Sequence, residues 1–251
     1  MKRVLFLMIL MWLLNLPVVL GQTPTGKNWL ISSEISPTSR TNAYKKLPQA
    51  QSDSNWEWRN QFGKFISPNL AVGVSAGLRT YSISETVNVV DSNYSSDYLA
   101  TVDNTLWQGG VFLTRFFSLS PQWKLQSTLY GTYEQGRGDY DVELLDYNCS
   151  ACFSPGGQNR NFALGSRFER ELRERNFYTG VDFGASYLLT PSVSLQTSLN
   201  LFQFETFESF FPRGQQLNPD RASYRPIEQQ GNGFSTFINR PIVHFGFSLL
   251  L

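Results

Sequence analysis

The chain has 251 residues, of which 41% are hydrophobic, 16% charged and 15% aromatic, with one histidine and a formal net charge of +1. Few charges, many aromatics and no block of like charge exclude an acidic or basic disordered chain and a polycation built to hold nucleic acid. A metal enzyme resting on several histidines is excluded as well. Past the first stretch, no apolar run approaches the roughly 18 residues that a membrane helix needs.

Lys2 and Arg3 precede an uncharged run from Val4 to Leu14, then Pro17 and Gly21. A basic start, a short apolar core and a small residue form the pattern of a secretory signal peptide, with cleavage expected after Gly21 and a mature domain over residues 22–251. Gln22 stands where a lipoprotein would need Cys. Loss of Lys2 and Arg3 leaves 19 basic against 20 acidic side chains, so net charge names no partner.

A first strand is expected over Trp29 to Ile35. Trp56, Trp58 and Phe62 then oppose Glu57, Arg59, Gln61 and Gly63. Next comes a phrase that recurs three times, Ser67-Pro68-Asn69-Leu70-Ala71-Val72, Ser120-Pro121-Gln122-Trp123-Lys124-Leu125 and Thr190-Pro191-Ser192-Val193-Ser194-Leu195. Proline fixes φ in a tight turn, and an apolar series of period two begins two residues later. After Pro68, Leu70, Val72, Val74, Ala76 and Leu78 oppose Ala71, Gly73, Ser75, Gly77 and Arg79. After Pro121, Trp123, Leu125 and Leu129 oppose Lys124, Gln126, Thr128 and Tyr130. After Pro191, Val193, Leu195, Leu199 and Leu201 oppose Ser194, Gln196, Ser198 and Asn200.

The segments running into these turns alternate too. Phe177, Val181, Phe183 and Tyr187 oppose Asn176, Gly180, Asp182 and Ser186, while Leu106 to Phe117 loses its phase near Gly109-Gly110, where a bulge is expected. The direction of Arg115 is therefore open. A last strand runs from Pro241 to Leu251, with Val243, Phe245, Phe247 and Leu249 on one face.

Three short-turn hairpins and two terminal strands make an eight-stranded antiparallel up-and-down β-barrel. The opposite end carries long connections, about 36–54, 82–104, 135–175 and 206–238. Short turns at one end and long loops at the other is the organisation of an outer-membrane barrel. Period-two alternation also fits a secreted soluble barrel with its apolar face inward. Three features favour the membrane: too few Lys and Glu for a soluble exterior, Trp29, Trp56, Trp58, Trp123 and Tyr187 near strand ends, and a chain that stops on an alternating strand.

The strand-turn-strand phrases Phe65-Ile66-Ser67-Pro68-Asn69-Leu70-Ala71-Val72-Gly73 and Tyr187-Leu188-Leu189-Thr190-Pro191-Ser192-Val193-Ser194-Leu195 resemble hairpins of the small outer-membrane β-barrel proteins of Gram-negative bacteria, the group containing the barrel of OmpA. The C-terminal alternation resembles the signal read by the barrel-assembly machinery, although Leu251 departs from the usual terminal aromatic. The resemblance implies an envelope location and carries no ligand, cofactor or catalytic residue with it.

Other features bear on chemistry. Cys149-Ser150-Ala151-Cys152 lies in the longest expected loop, and in an exported chain a local disulfide is the reading over a metal or redox site. The run from Arg167 to Arg175 alternates in sign, which suits a solvated strand above the membrane or contact with lipopolysaccharide phosphates. His244 shares a polar face with Gly246 and Ser248 at mid-depth, where a hydrogen bond to a carboxylate is expected rather than a barrel-hydrolase role.

Arg59, Asp182 and His244 lie at similar distances from their turns or terminus and should meet in the lumen. Arg59 is the first basic partner for Asp182, and Arg115 the second. Glu34, Glu57, Arg79 and Glu134 should form another layer nearer the loops. Such layers would close a barrel of eight strands, whose interior is just wide enough for side chains. A non-enzymatic barrel with outward loops for adhesion or binding is the leading functional expectation. A small-solute pore or transporter comes second, and an outer-membrane lipase or protease third.

Overall fold

The computed structural model describes residues 28–37, 50–90, 94–149, 167–211, 227–236 and 242–251. The signal-peptide residues, the partner Cys152 and the Cys149 side chain lie outside what it describes. The strands are β1 (Trp29–Ser36), β2 (Ala50–Ser67), β3 (Leu70–Val90), β4 (Tyr94–Ser118), β5 (Trp123–Cys149), β6 (Arg167–Leu188), β7 (Val193–Phe211), β8 (Ile227–Thr236) and β9 (Val243–Leu250). No helix among the described residues is long and apolar enough to cross a membrane.

Each strand from β1 to β7 pairs antiparallel with the next. The sheet closes into a barrel because β9 lies between β1 and β7, Leu30 facing Leu250 and Val193 facing Leu249. Further along β7, Phe202 to Phe211 pair with β8. The eighth position of the barrel is thus filled by two strands in tandem, β8 ending at Thr236 and β9 beginning at Val243, which is why nine strands are counted among the described residues where eight were expected.

Two of the three short turns account for their Ser/Thr-Pro phrase, while at the third Ser67 pairs directly with Leu70. Ser120 Oγ accepts from the Trp123 amide at 3.0 Å, and Thr190 Oγ1 accepts from the Val193 amide at 3.1 Å. Proline sets φ at the next position, and the hydroxyl caps the amides that the turn leaves without a ladder partner.

Two expectations are corrected. The connections read over 82–104 and 135–175 are mainly strand, since β4 runs 25 residues and β5 27. Their alternation continues past the turn-proximal part with its polarity reversed, so it does not read as the same face. No bulge occurs at Gly109-Gly110, because Gly109 faces Ala76 and Tyr133, and Gly110 faces Ser75 and Thr132, in unbroken ladders. The apparent loss of phase comes from apolar side chains on the inner face, where Leu106, Phe112 and Phe116 are buried. A register shift does occur in β7, where Phe202 faces Val181 and Asn200 faces Asp182, leaving Leu201 as an extra residue. It switches the inward parity from Ser198 and Asn200 to Gln203 and Glu205, all buried.

Near the short turns the lumen is filled by an apolar cluster of Leu30, Ala71, Phe112, Phe116 and Leu250, with Phe65 and Leu188 packed against it. Phe65 and Phe116 rings lie 5.7 Å apart. The outer wall over the same stretch is apolar and exposed, with Val74 at 57%, Val111 at 61% and Phe247 at 50%. Trp29 stacks on Phe62 at 5.1 Å, and Trp123 meets Tyr187 at 5.0 Å, near the turn end of this band. Trp58, Trp107, Tyr133 and Phe177 stand exposed at its far edge.

Candidate functional site

The inner wall of the band is polar, and its side chains form two connected layers. Alternation places Glu34 of β1, Arg59 of β2 and Asp182 of β6 on the inside, and all three are buried. Arg59 Nη2 lies 2.6 Å from Glu34 Oε2 and 3.1 Å from Asp182 Oδ2. Glu34 is the direct ladder neighbour of Arg59, whereas Asp182 comes from the other side of the barrel. The guanidinium therefore spans the lumen.

The remaining acceptors of this layer are taken up by amides and a phenol. Gln196 Nε2 donates to Glu34 Oε1 at 2.7 Å, and Asn200 Nδ2 donates to Asp182 Oδ1 at 2.8 Å. Tyr130 lies under the Arg59 guanidinium, 5.7 Å from ring centroid to Cζ, and its hydroxyl donates to Gln203 Oε1 at 3.0 Å. Gly180 is the ladder neighbour of Tyr130, and a Cβ there would meet the Tyr130 hydroxyl at 2.7 Å. Only glycine lets that ring lie across the lumen.

The second layer centres on Arg79 of β3. Its Nη2 lies 3.4 Å from Glu134 Oε2 on β5, and its Nη1 donates to the Tyr178 hydroxyl at 3.1 Å. Tyr81 and Tyr178 flank the guanidinium, with centroids 5.6 and 5.7 Å from Cζ. Gln108 Nε2 donates to Glu134 Oε1 at 2.6 Å, and Asn104 Nδ2 donates to Glu174 Oε2 at 2.9 Å. Glu57 is buried as the ladder neighbour of Arg79. Among the buried residues, six carboxylates (Glu34, Glu57, Glu134, Glu174, Asp182 and Glu205) face three basic side chains (Arg59, Arg79 and Lys124). The lumen is therefore polar, closely hydrogen-bonded and acidic in balance.

Three site expectations change. Glu34 belongs to the Arg59 layer rather than the Arg79 layer, because the β1–β2 register sets it opposite Arg59. Arg115 is on the outer wall, in register with Leu70 and Ser127, its guanidinium 5.4 Å from the Phe117 ring, so it takes no part in the lumen network. His244 is buried and lies within electrostatic reach of Arg59, Asp182, Glu57 and Glu34, yet no hydrogen bond joins it to these carboxylates. Its Nε2 is without a hydrogen-bond partner among the described residues. Ser198 is its ladder neighbour, and Ser198 Oγ is likewise without a partner, so no bonded serine–histidine pair exists here.

Residues absent from the sequence reading of the network are Gln108, Tyr130, Tyr178, Glu174, Gln196, Asn200 and Gln203. Inward parity was available for most of them: Tyr130 sits an even number of residues from Glu134 on β5, Tyr178 and Glu174 from Asp182 on β6, and Gln196 and Asn200 lie on the polar face counted from Pro191, whereas Gln108 falls where the phase of β4 is hard to read. Gln203 falls beyond the extra residue Leu201, which no local pattern announces.

No protein-family model matches the chain, and no curated protein matches it in sequence. Among solved structures, the outer membrane protease OmpT from Escherichia coli is 8% identical, with 92% of this chain and 96% of that chain covered at a TM-score of 0.39. Neisserial surface protein A is 12% identical, with 89% and 97% covered at a TM-score of 0.35. The attachment invasion locus protein Ail of Yersinia pestis is 7% identical, with 89% and 96% covered at a TM-score of 0.26.

Proposed function

We propose that this chain is an integral β-barrel of the bacterial outer membrane that does not conduct freely, acts as an envelope anchor and presents its extended strands and loops outward for adhesion or ligand binding. The membrane part of this reading is supported by the inside-out polarity of the band. Three outer-face stretches, Trp107–Phe117, Trp123–Tyr133 and Phe177–Tyr187, each run eleven residues between aromatic ends. At about 3.3 Å per residue and about 45° of tilt, eleven residues rise roughly 23 Å along the barrel axis. That matches the apolar height of about 25 Å typical of outer-membrane barrels. Export by the N-terminal segment and insertion by the barrel-assembly machinery complete this reading. Lipid of the outer membrane is the surrounding partner.

The observation that carries the non-conducting part is Arg59 bonded across the lumen to Asp182 while held by Glu34. The apolar cluster below it, with Phe112 and Phe116 inward, adds a second closure. A non-enzymatic role is supported by the burial of the one histidine, His244, at 1% exposure, between strands rather than at a rim cleft.

A second reading, a small-solute pore, is favoured by the acidic balance of the lumen. Planar-bilayer recording of the refolded protein separates the two. We expect no steady conductance from the wild type and cation-selective openings from Asp182→Ala; steady wild-type conductance would favour the pore.

A further inference from the structure

A lipid-facing wall tolerates few charges, and where cations occur on it their long side chains reach toward the headgroups. On the outward positions of the band, the described residues carry two charged side chains, Lys64 of β2 and Arg115 of β4, and both are cations. Each stands three residues before its strand ends, at Ser67 and Ser118.

The register puts the two at nearly one depth. Lys64 faces Val72, Val72 faces Leu113, and Arg115 follows two residues nearer the turn. A ladder row followed once round from Gln196 of β7, through Glu34, Arg59 and Glu134, returns to β7 at Phe207, so rows climb toward the loops from β1 to β6. At about 45° of tilt, a climb of roughly 7 Å over two strands is offset by a descent of roughly 5 Å over two residues.

Both side chains lean to the turn end. Lys64 Nζ lies 5.7 Å from the centroid of the Trp29 ring, and Arg115 Cζ lies 5.4 Å from that of Phe117, two residues nearer the turn. No acidic side chain stands on this wall among the described residues. The terminal carboxylate of Leu251 is held by the Asn28 and Trp29 amides at 2.7 and 2.9 Å, and Lys124 is buried inward. The loop edge differs, with both signs mixed: Glu171 lies between Arg137 and Arg173, and Arg175 faces Glu208.

We propose that the turn-end rim binds phospholipids of net negative headgroup, Lys64 and Arg115 each holding a phosphate at the level of the Trp29 and Phe117 rings. The proposal rests on the membrane reading above. It goes beyond that reading in naming the two residues and the headgroup charge they select.

The test compares wild type, K64Q/R115Q, the charge-keeping K64R/R115K and a collar control, R137Q. Each is refolded in nonionic detergent, mixed with equal amounts of phosphatidylglycerol and phosphatidylethanolamine of matched acyl chains, and read by native mass spectrometry for retained lipid. Folding is scored for every variant by heat-modifiable migration.

Two basic side chains beside an anionic headgroup correspond to about tenfold stronger retention or more. We expect that preference for phosphatidylglycerol from the wild type, K64R/R115K and R137Q, and equal retention of both lipids by K64Q/R115Q. Inorganic phosphate at millimolar concentration should not displace the lipid; displacement would mean that the rim reads free phosphate and would overturn the lipid as its occupant. No preference in the wild type, the same preference in folded K64Q/R115Q, or its loss in K64R/R115K or R137Q would overturn the rim while leaving the membrane reading intact. A folded wild-type barrel that stays in water and does not enter vesicles would bring down both.

Discussion

The turn-proximal band and the collar above it are built from the same strands with opposite polarity. In the band, β5 turns Leu125, Leu129 and Tyr133 outward and Lys124, Thr128 and Glu134 inward. In the collar, it turns Arg137 and Asp139 outward, and Val142 and Leu144 are buried inward. β6 does the same, with Phe177 and Phe183 outward in the band, then Arg173 and Glu171 outward and Leu172 buried inward above it. The backbone alternation is the same throughout, and on the membrane reading proposed above the reversal marks a change in the medium outside the wall: hydrocarbon favours an apolar face, and water permits a conventional β-barrel with an apolar interior.

The largest expected effect comes from the band's interior. Arg59→Met leaves Glu34 and Asp182 buried and uncompensated, and breaking a buried pair this way costs about 3 to 5 kcal/mol. A correspondingly lower urea midpoint, followed by heat-modifiable migration, is the expected result. Adding Glu34→Gln and Asp182→Asn should recover much of that loss, because no unpaired charge then remains. An unshifted midpoint for Arg59→Met would mean that water already solvates the layer.

Next in size is a charge placed on the outer wall. Val72, 41% exposed, and Leu199 both face outward in the band. Val72→Lys or Leu199→Lys should destabilise the barrel in bilayers by about 2 to 4 kcal/mol. Asp139→Lys, on the outer wall of the collar, should stay within about 0.5 kcal/mol of wild type. Equal effects at Val72 and Asp139 would erase the distinction between the two regions.

The smallest effect sharpens the collar side. The hydrogen bond from Arg173 holds the Glu171 carboxyl below its ordinary range. A depressed carboxylate contributes stability above its unfolded-state pKa and loses it as pH falls through the lower folded value. Glu171 is solvent-exposed, so screening leaves little of this. The unfolding midpoints of Glu171→Gln and wild type should coincide within scatter at pH 7 and remain so on acidification. A clear gap at pH 7 that closes in acid would show that the charged face of the collar is far more shielded than water allows.

Much of the architecture could be read from alternation, because a strand buried on one side must repeat every second residue. Val72 and Leu199 outward, and Arg59, Glu57, Arg79 and Asp182 inward, follow from parity counted from the prolines. Parity fails where large apolar residues fill the inner face. Phe112 and Phe116 plug the lumen, so Arg115 between the apolar neighbours of its strand has no legible direction. Strand length was hidden by the polarity reversal, since 82–104 and 135–149 have the polar outward face that also marks a loop. The layer to which Glu34 belongs depends on the β1–β2 register, and 36–54 carries no turn signal that would fix it. For His244, burial was legible and its missing bond was not, because that depends on side-chain distances across the lumen.

The central claim, that one wall faces lipid below Tyr133 and water above it, is tested most directly by a nitroxide scan along the outward positions of β5. Single cysteines replace Leu125, Leu129, Tyr133, Arg137 and Asp139 in a background with Cys149→Ser and Cys152→Ser, and each spin-labelled barrel is placed in vesicles. Collision rates with oxygen, which concentrates in hydrocarbon, should dominate from Leu125 through Tyr133. A water-soluble nickel complex should dominate at Arg137 and Asp139. Nickel access at Leu125 and Leu129 equal to that at Asp139 would contradict the account and restore a water-exposed barrel.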